Sequence, residues 1–178
     1  MNSLHRALAE RRVTLLTGPR QSGKTTLARA IVSETITYRT LDDPTLRQAA
    51  EADPLGFLRH AADTLIIDEI QRVPDLLPAI KKIVDEDNRP GQFLLTGSVN
   101  LQDLPSVRES LAGRVSKIRL RPLSHGELLR HRPDFLGHAF TQDFSDPREI
   151  PSRDALIDAA FRGGFPEAAR LLPGPRRR

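Results

Sequence analysis

The sequence predicts an α/β fold, a parallel sheet flanked by helices with a small helical region after it. Three observations carry this. Short apolar runs alternate with stretches of helical periodicity along most of the chain. A glycine-rich turn follows the first apolar run at residues 18–25. A later apolar run, Leu65-Ile66-Ile67, ends in the carboxylates Asp68 and Glu69.

The elements follow in order. Residues 13–17 read as a buried strand, and a helix after the turn is expected to bury Leu27, Ala28, Ile31 and Val32. Residues 36–41 read as a second strand, closed by Asp42-Asp43-Pro44, with short helical pieces at 45–52 and 54–60. Residues 64–67 form a strand suited to burial on both faces. Asp75 is the expected N-cap of a helix presenting Leu76, Leu77, Ile80, Ile83 and Val84. Pro78 falls in its first turn, where a missing N–H does little harm. After Asn88-Arg89-Pro90-Gly91 comes a strand at 92–96. Ser116, Ile118 and Leu120 alternate with Lys117 and Arg119, the pattern of a strand near a sheet edge. Beyond Pro122 the reading is a helix at 124–132, a loop at 133–151, a helix at 154–162, a turn at Gly163-Gly164-Phe165-Pro166 and a last short helix.

The turn reads Gly18-Pro19-Arg20-Gln21-Ser22-Gly23-Lys24-Thr25, a full G-x-x-x-x-G-K-[ST] phosphate-binding loop, the Walker A motif. Glycines let the backbone curl so that successive N–H groups point at phosphate oxygens. The helix behind it, entered through Thr26, adds the positive end of its dipole. Lys24 is placed to reach β- and γ-phosphates, and the Thr25 hydroxyl to ligate Mg²⁺.

Asp68 stands 44 residues beyond Lys24, and Glu69 follows it. Alone, such a pair is a weak signal that reads equally well as a solvated turn. Beside a full phosphate loop it is a Walker B pair, Asp68 holding Mg²⁺ opposite Thr25 and Glu69 polarising the attacking water. GTPases read guanine with N-K-x-D, and no such tetrapeptide occurs. The expected ligand is therefore ATP with Mg²⁺.

Composition removes several alternatives. Cysteine is absent, excluding disulfides, Cys-ligated zinc and thiol catalysis, and agreeing with a cytoplasmic location. With 4% aromatics and no Trp, stacking platforms for single strands are not expected. No run of about 18 apolar residues exists, so no membrane span is expected. The five histidines, His5, His60, His125, His131 and His138, have no metal-ligand spacing. The net charge of +4 includes the tail Arg176-Arg177-Arg178, read as a disordered basic end.

Several stretches together resemble a known group: G-P-R-Q-S-G-K-T-T-L-A-R from Gly18, L-I-I-D-E-I-Q-R-V-P from Leu65 and F-L-L-T-G-S-V-N from Phe93. L-A-G-R-V from Leu111, R-P-L-S-H-G-E-L from Arg121 and G-G-F-P-E-A from Gly163 complete the set. The chain resembles the prokaryotic AAA-type P-loop ATP-binding proteins that usually carry a C-terminal domain of poorly understood function. The resemblance implies a core at 1–122 and a partial, truncated helical lid at 123–178. It implies an additional strand, 92–96, between the Walker A and Walker B strands. It implies a sensing polar group at Ser98, with Thr96 or Asn100 as alternatives. It also implies an arginine that stabilises transition-state charge, Arg114 or alternatively Arg108, acting across a homo-oligomer. Arg72 is a candidate relay to a partner.

The leading expectation is Mg²⁺-dependent ATP hydrolysis used as a switch for a protein partner or downstream domain. The alternatives are a nucleotide-binding module without productive hydrolysis and an ATP-dependent DNA-associated protein.

Overall fold

The structure is a computed structural model and describes residues 2–98, 113–128 and 152–170. By its contacts the chain forms two units, Met1–Arg121 and Pro122–Arg178.

The first unit is a five-stranded parallel sheet covered on both faces. Its strands are β1 (Val13–Thr17), β2 (Ile36–Thr40), β3 (Thr64–Asp68), β4 (Phe93–Gly97) and β5 (Val115–Arg119). They lie in the order β2-β3-β4-β1-β5, every pairing parallel. The additional strand expected from the resemblance is β4, between β1 and β3. Its placement brings the carboxyl ends of β1, β3 and β4 together. β5 occupies an edge, as its alternating pattern implied.

Because side chains alternate across a strand, each apolar run divides between two cores. Leu15, Leu65, Ile67, Phe93 and Leu95 pack on one face against α3 (Pro44–Ala52), α4 (Pro54–Leu58) and α5 (Leu76–Glu86). Leu16, Ile66 and Leu94 pack on the other with Leu4 of α1 (Asn2–Glu10) and Ala28 of α2 (Lys24–Arg29). α1 escaped the sequence reading, although Leu4, Ala7 and Leu8 stand at helical spacing on its inner side.

Local chemistry sets several boundaries. Asp43 caps α3, its carboxylate accepting from the N–H groups of Thr45 at 2.8 Å and Leu46 at 3.2 Å. α4 stops at Leu58 because Arg59 takes an extended conformation. Two expectations need correction. α2 ends at Arg29, and Val32 beyond it is exposed rather than buried. Asp75 precedes α5 but is itself helical in conformation, and its side chain makes no capping hydrogen bond.

In the second unit, Ser124 and Glu127 form a reciprocal capping box opening α6 (His125–Leu128). Ser152 caps α7 (Arg153–Arg162) through the Ala155 N–H, and α8 (Pro166–Arg170) follows. The Leu123 N–H donates to the Gly164 carbonyl at 2.7 Å. A Cβ on Gly164 would lie 2.0 Å from the Leu123 carbonyl oxygen, so only glycine permits this approach. Among the described residues, no helix is long and apolar enough to cross a membrane.

Candidate nucleotide-binding site

The phosphate loop is built by the abrupt passage from β1 into α2. Gln21 at φ 62° and Gly23 at φ 95° take left-handed conformations that curl the backbone. Gly18 has a different reason. The Leu120 N–H, just past β5, donates to the Thr17 carbonyl at 2.7 Å, and a Cβ on Gly18 would lie 2.4 Å from the Leu120 carbonyl oxygen. The edge strand thus presses directly on the first residue of the loop.

Within the loop Pro19 is half-buried, Arg20 and Gln21 are exposed, and Ser22 and Lys24 are buried. The Lys24 ammonium donates to the carbonyls of Gly18 at 3.2 Å and Pro19 at 3.0 Å. No described carboxylate forms an ion pair with it, although a buried cation is costly without a counter-charge. The buried Ser22 hydroxyl has no hydrogen-bond partner among the described residues. Both groups fit an anionic ligand with several acceptor oxygens. Thr25 is half-buried and Thr26 exposed on the first turn of α2.

Asp68, 1% exposed, is the meeting point of four elements. One carboxylate oxygen, Oδ2, accepts from the Thr25 hydroxyl of α2 at 2.9 Å and from the Tyr38 hydroxyl of β2 at 2.8 Å. The other, Oδ1, accepts from the Thr96 hydroxyl of β4. Thr25 with Asp68 is an all-oxygen pair of the kind a hard cation such as Mg²⁺ takes. Burial first, and the bond to Asp68, hold the Tyr38 phenol above its ordinary value, so it remains a donor.

Glu69 follows directly and takes a left-handed conformation at φ 60°, uncommon for a non-glycine residue. Its N–H donates to the Thr96 hydroxyl at 3.1 Å, and its carboxylate accepts from the Gln71 amide. Thr96 therefore holds both acidic residues, one by accepting and one by donating.

Of the residues expected from sequence, the loop, Asp68 and Glu69 come together at the carboxyl end of the sheet. Ser98 lies just past the end of β4 and is half-buried, whereas the strand residue touching Asp68 is Thr96. Arg114 is not brought to the loop. It precedes β5 at the opposite end of the sheet, where its guanidinium donates to Asp85, one bond measuring 3.0 Å. That bond holds the Asp85 carboxyl below its usual range. Arg72 pairs with Asp42 at 2.6 Å. Asn100 and Arg108 lie outside the described residues. Sequence reasoning passed over Tyr38 and Gln71. The signal for Tyr38 was its place in a strand as the chain's sole tyrosine, but only the sheet order sets that strand beside Asp68.

Residues 10–129 match the family described as AAA domain. The chain belongs to this family. The family is of the AAA type that the resemblance implied. Two relatives, uncharacterized proteins from Mycobacterium bovis and Mycobacterium tuberculosis, are each 42% identical over 122 residues. That alignment covers 68% of this chain and 27% of each relative, so the chain spans about a quarter of the length of the curated relatives it matches. Among solved structures the AAA domain is similar to AMPPCP-bound DnaA from Aquifex aeolicus. The TM-score is 0.55 at 14% identity, covering 94% of this chain and 55% of that one. The Aeropyrum pernix ORC1 protein in complex with DNA gives a TM-score of 0.52 at 20% identity, covering 94% and 56%. These likenesses are of fold.

Proposed function

We propose that this AAA domain binds ATP with Mg²⁺ at residues 18–26, hydrolyses it, and uses the cycle to switch a partner or a further domain. The observation that carries the reading is the 2.9 Å bond between Thr25 and Asp68, with Glu69 the next residue. It joins the phosphate loop to the carboxylate strand in a buried site.

Each residue has a chemical task. The loop N–H groups and Lys24 hold the β- and γ-phosphates and neutralise charge as it builds. Thr25 and Asp68 hold Mg²⁺, which when bound draws electron density from the phosphate oxygens. Glu69 accepts a proton from a water as its oxygen forms a bond to the γ-phosphorus. The bond from that phosphorus to the β–γ bridging oxygen breaks, giving ADP and phosphate. Ser98 is the candidate group sensing the γ-phosphate. Arg114 serves transition-state charge only across a contact between copies.

Thermal unfolding and phosphate release test this directly. ATP·Mg²⁺ at about 100 times Kd should stabilise the wild type by roughly 2.7 kcal/mol. Lys24→Ala should lose that stabilisation. Glu69→Gln should keep it while phosphate release falls roughly 10²–10⁴-fold, the usual worth of a positioned general base. Absence of any ATP·Mg²⁺ stabilisation in the wild type overturns the reading.

A second reading, nucleotide binding without productive hydrolysis, draws on the Gln71 amide that occupies the Glu69 carboxylate. Stabilisation by ATP·Mg²⁺ with no phosphate release selects it. The net charge of +4 and the DNA-bound state of the ORC1 neighbour motivate a DNA-associated role, tested by salt-dependent retention on DNA.

A further inference from the structure

We infer that Tyr38 is a positioning residue for the metal-holding carboxylate, setting how readily the site takes Mg²⁺. The inference rests on the proposed nucleotide site and names a residue that neither loop nor acidic pair contains.

The acceptor capacity of Asp68 is limited. An ionised carboxylate offers about four lone-pair positions on two oxygens. Three are taken by hydroxyl donors from three different elements: Thr25 and Tyr38 on Oδ2, Thr96 on Oδ1. Thr25 and Thr96 fix the carboxylate from the loop side and from β4. Tyr38 fixes it from β2, which pairs with β3 in register, Thr40 opposite Asp68. With three donors in place the carboxylate cannot rotate about its terminal bond without losing a charge-assisted hydrogen bond. One acceptor position is left for a metal or its bound water.

Tyr38 is itself held. The Arg29 guanidinium, at the end of α2, lies over its ring with Cζ 5.1 Å from the centroid. Arg29 stands on the same helix as Lys24 and Thr25. The phenol thus connects the C-terminal end of the phosphate-loop helix to the Walker B carboxylate, which Thr25 holds from the N-terminal end. Simple satisfaction of a buried carboxylate would explain the bond, but would tie Tyr38 to stability alone and not to magnesium.

The chain's composition supplies the means to tell the two apart. Tyr38 is its only tyrosine and there is no tryptophan, so tyrosine emission reports on this hydroxyl alone. In the full chain, emission is followed with the nucleotide analogue AMPPCP in EDTA, then as Mg²⁺ is added. Emission should change on addition of Mg²⁺ beyond any change caused by nucleotide. In Tyr38→Phe, AMPPCP binding in EDTA should be unchanged. The Mg²⁺ concentration giving half-maximal stabilisation of the AMPPCP complex should rise roughly tenfold, the scale expected when a hydrogen bond to a charged group is lost. If wild-type emission ignores Mg²⁺ while the complex is nonetheless stabilised, Tyr38 has no such role. An unaltered Mg²⁺ requirement in Tyr38→Phe equally overturns the inference and leaves the nucleotide site standing. Failure of the wild type to bind AMPPCP under either condition overturns both readings. The emission titration needs no variant, so poor folding of Tyr38→Phe does not spare the inference.

Discussion

The two ends of the sheet treat charge in opposite ways. At the carboxyl ends of β1, β3 and β4, polar groups are drawn inside: Thr17, Thr96, Asp68 and Lys24 are all buried, and Asp68 accepts bonds from Thr25, Tyr38 and Thr96. At the amino ends, Arg12 and Arg114 converge on Asp85 with side chains about one-third exposed. The first arrangement leaves each buried group dependent on its neighbours, because water cannot replace a lost partner. The second is bathed in solvent that competes with every ion pair. Position in the sheet, not the number of charges, decides how much each residue matters.

The sharpest way to break this comparison is at Thr96. Thr96→Val keeps the shape but leaves Asp68 Oδ1 and the Glu69 N–H without their partner. Each group left unpaired should cost roughly 1–3 kcal/mol of unfolding free energy, read from urea denaturation. A variant as stable as wild type would mean the buried network adds nothing.

An intermediate effect is expected at His60, near the amino ends. Burial first, then the fields of Arg39 and Arg89, hold its imidazole below the ordinary value. It also meets Phe93 edge-on at 6.0 Å. The unfolded chain therefore binds more protons than the folded one in the interval below pH of about 6.5. The His60 contribution to stability should be complete above that pH and decline on acidification through the folded value. Thermal midpoints across that range should decline less steeply in His60→Leu; identical profiles would remove the assignment.

The smallest effect belongs to Arg114→Ala. Its partner Asp85 is solvated, so unfolding at neutral pH should be barely altered. Arg114 holds the Asp85 carboxyl below its usual value, so any contribution is present above the ordinary Asp range and lost in stronger acid. A large loss of stability at neutral pH would show that the two ends are not so different.

Much of this was legible in advance for local reasons. The five strands follow from apolar or alternating runs whose length and flanks need no long-range information. Residues 18–25 are legible because a phosphate loop needs its glycines, lysine and hydroxyl in one short stretch. Asp68 and Glu69 are legible because a strand end is read from its own sequence. α1 went unread because its inner face is only Leu4, Ala7 and Leu8, among otherwise polar residues at the start of the chain. Val32 was misplaced because periodicity continues on paper after α2 has ended at Arg29.

The sequence by itself thus determined the residues of the proposed AAA-type site: a phosphate loop and two adjacent carboxylates at a strand end, each encoded by contiguous residues. Only the tertiary structure decided what closes on Asp68. Tyr38 and Thr96 are 30 and 28 residues away from it, on strands that flank β3 only because the order is β2-β3-β4-β1-β5. Strand periodicity says which face a side chain takes, but not which strand lies beside it, and that neighbour relation is what gathers three hydroxyls on one carboxylate.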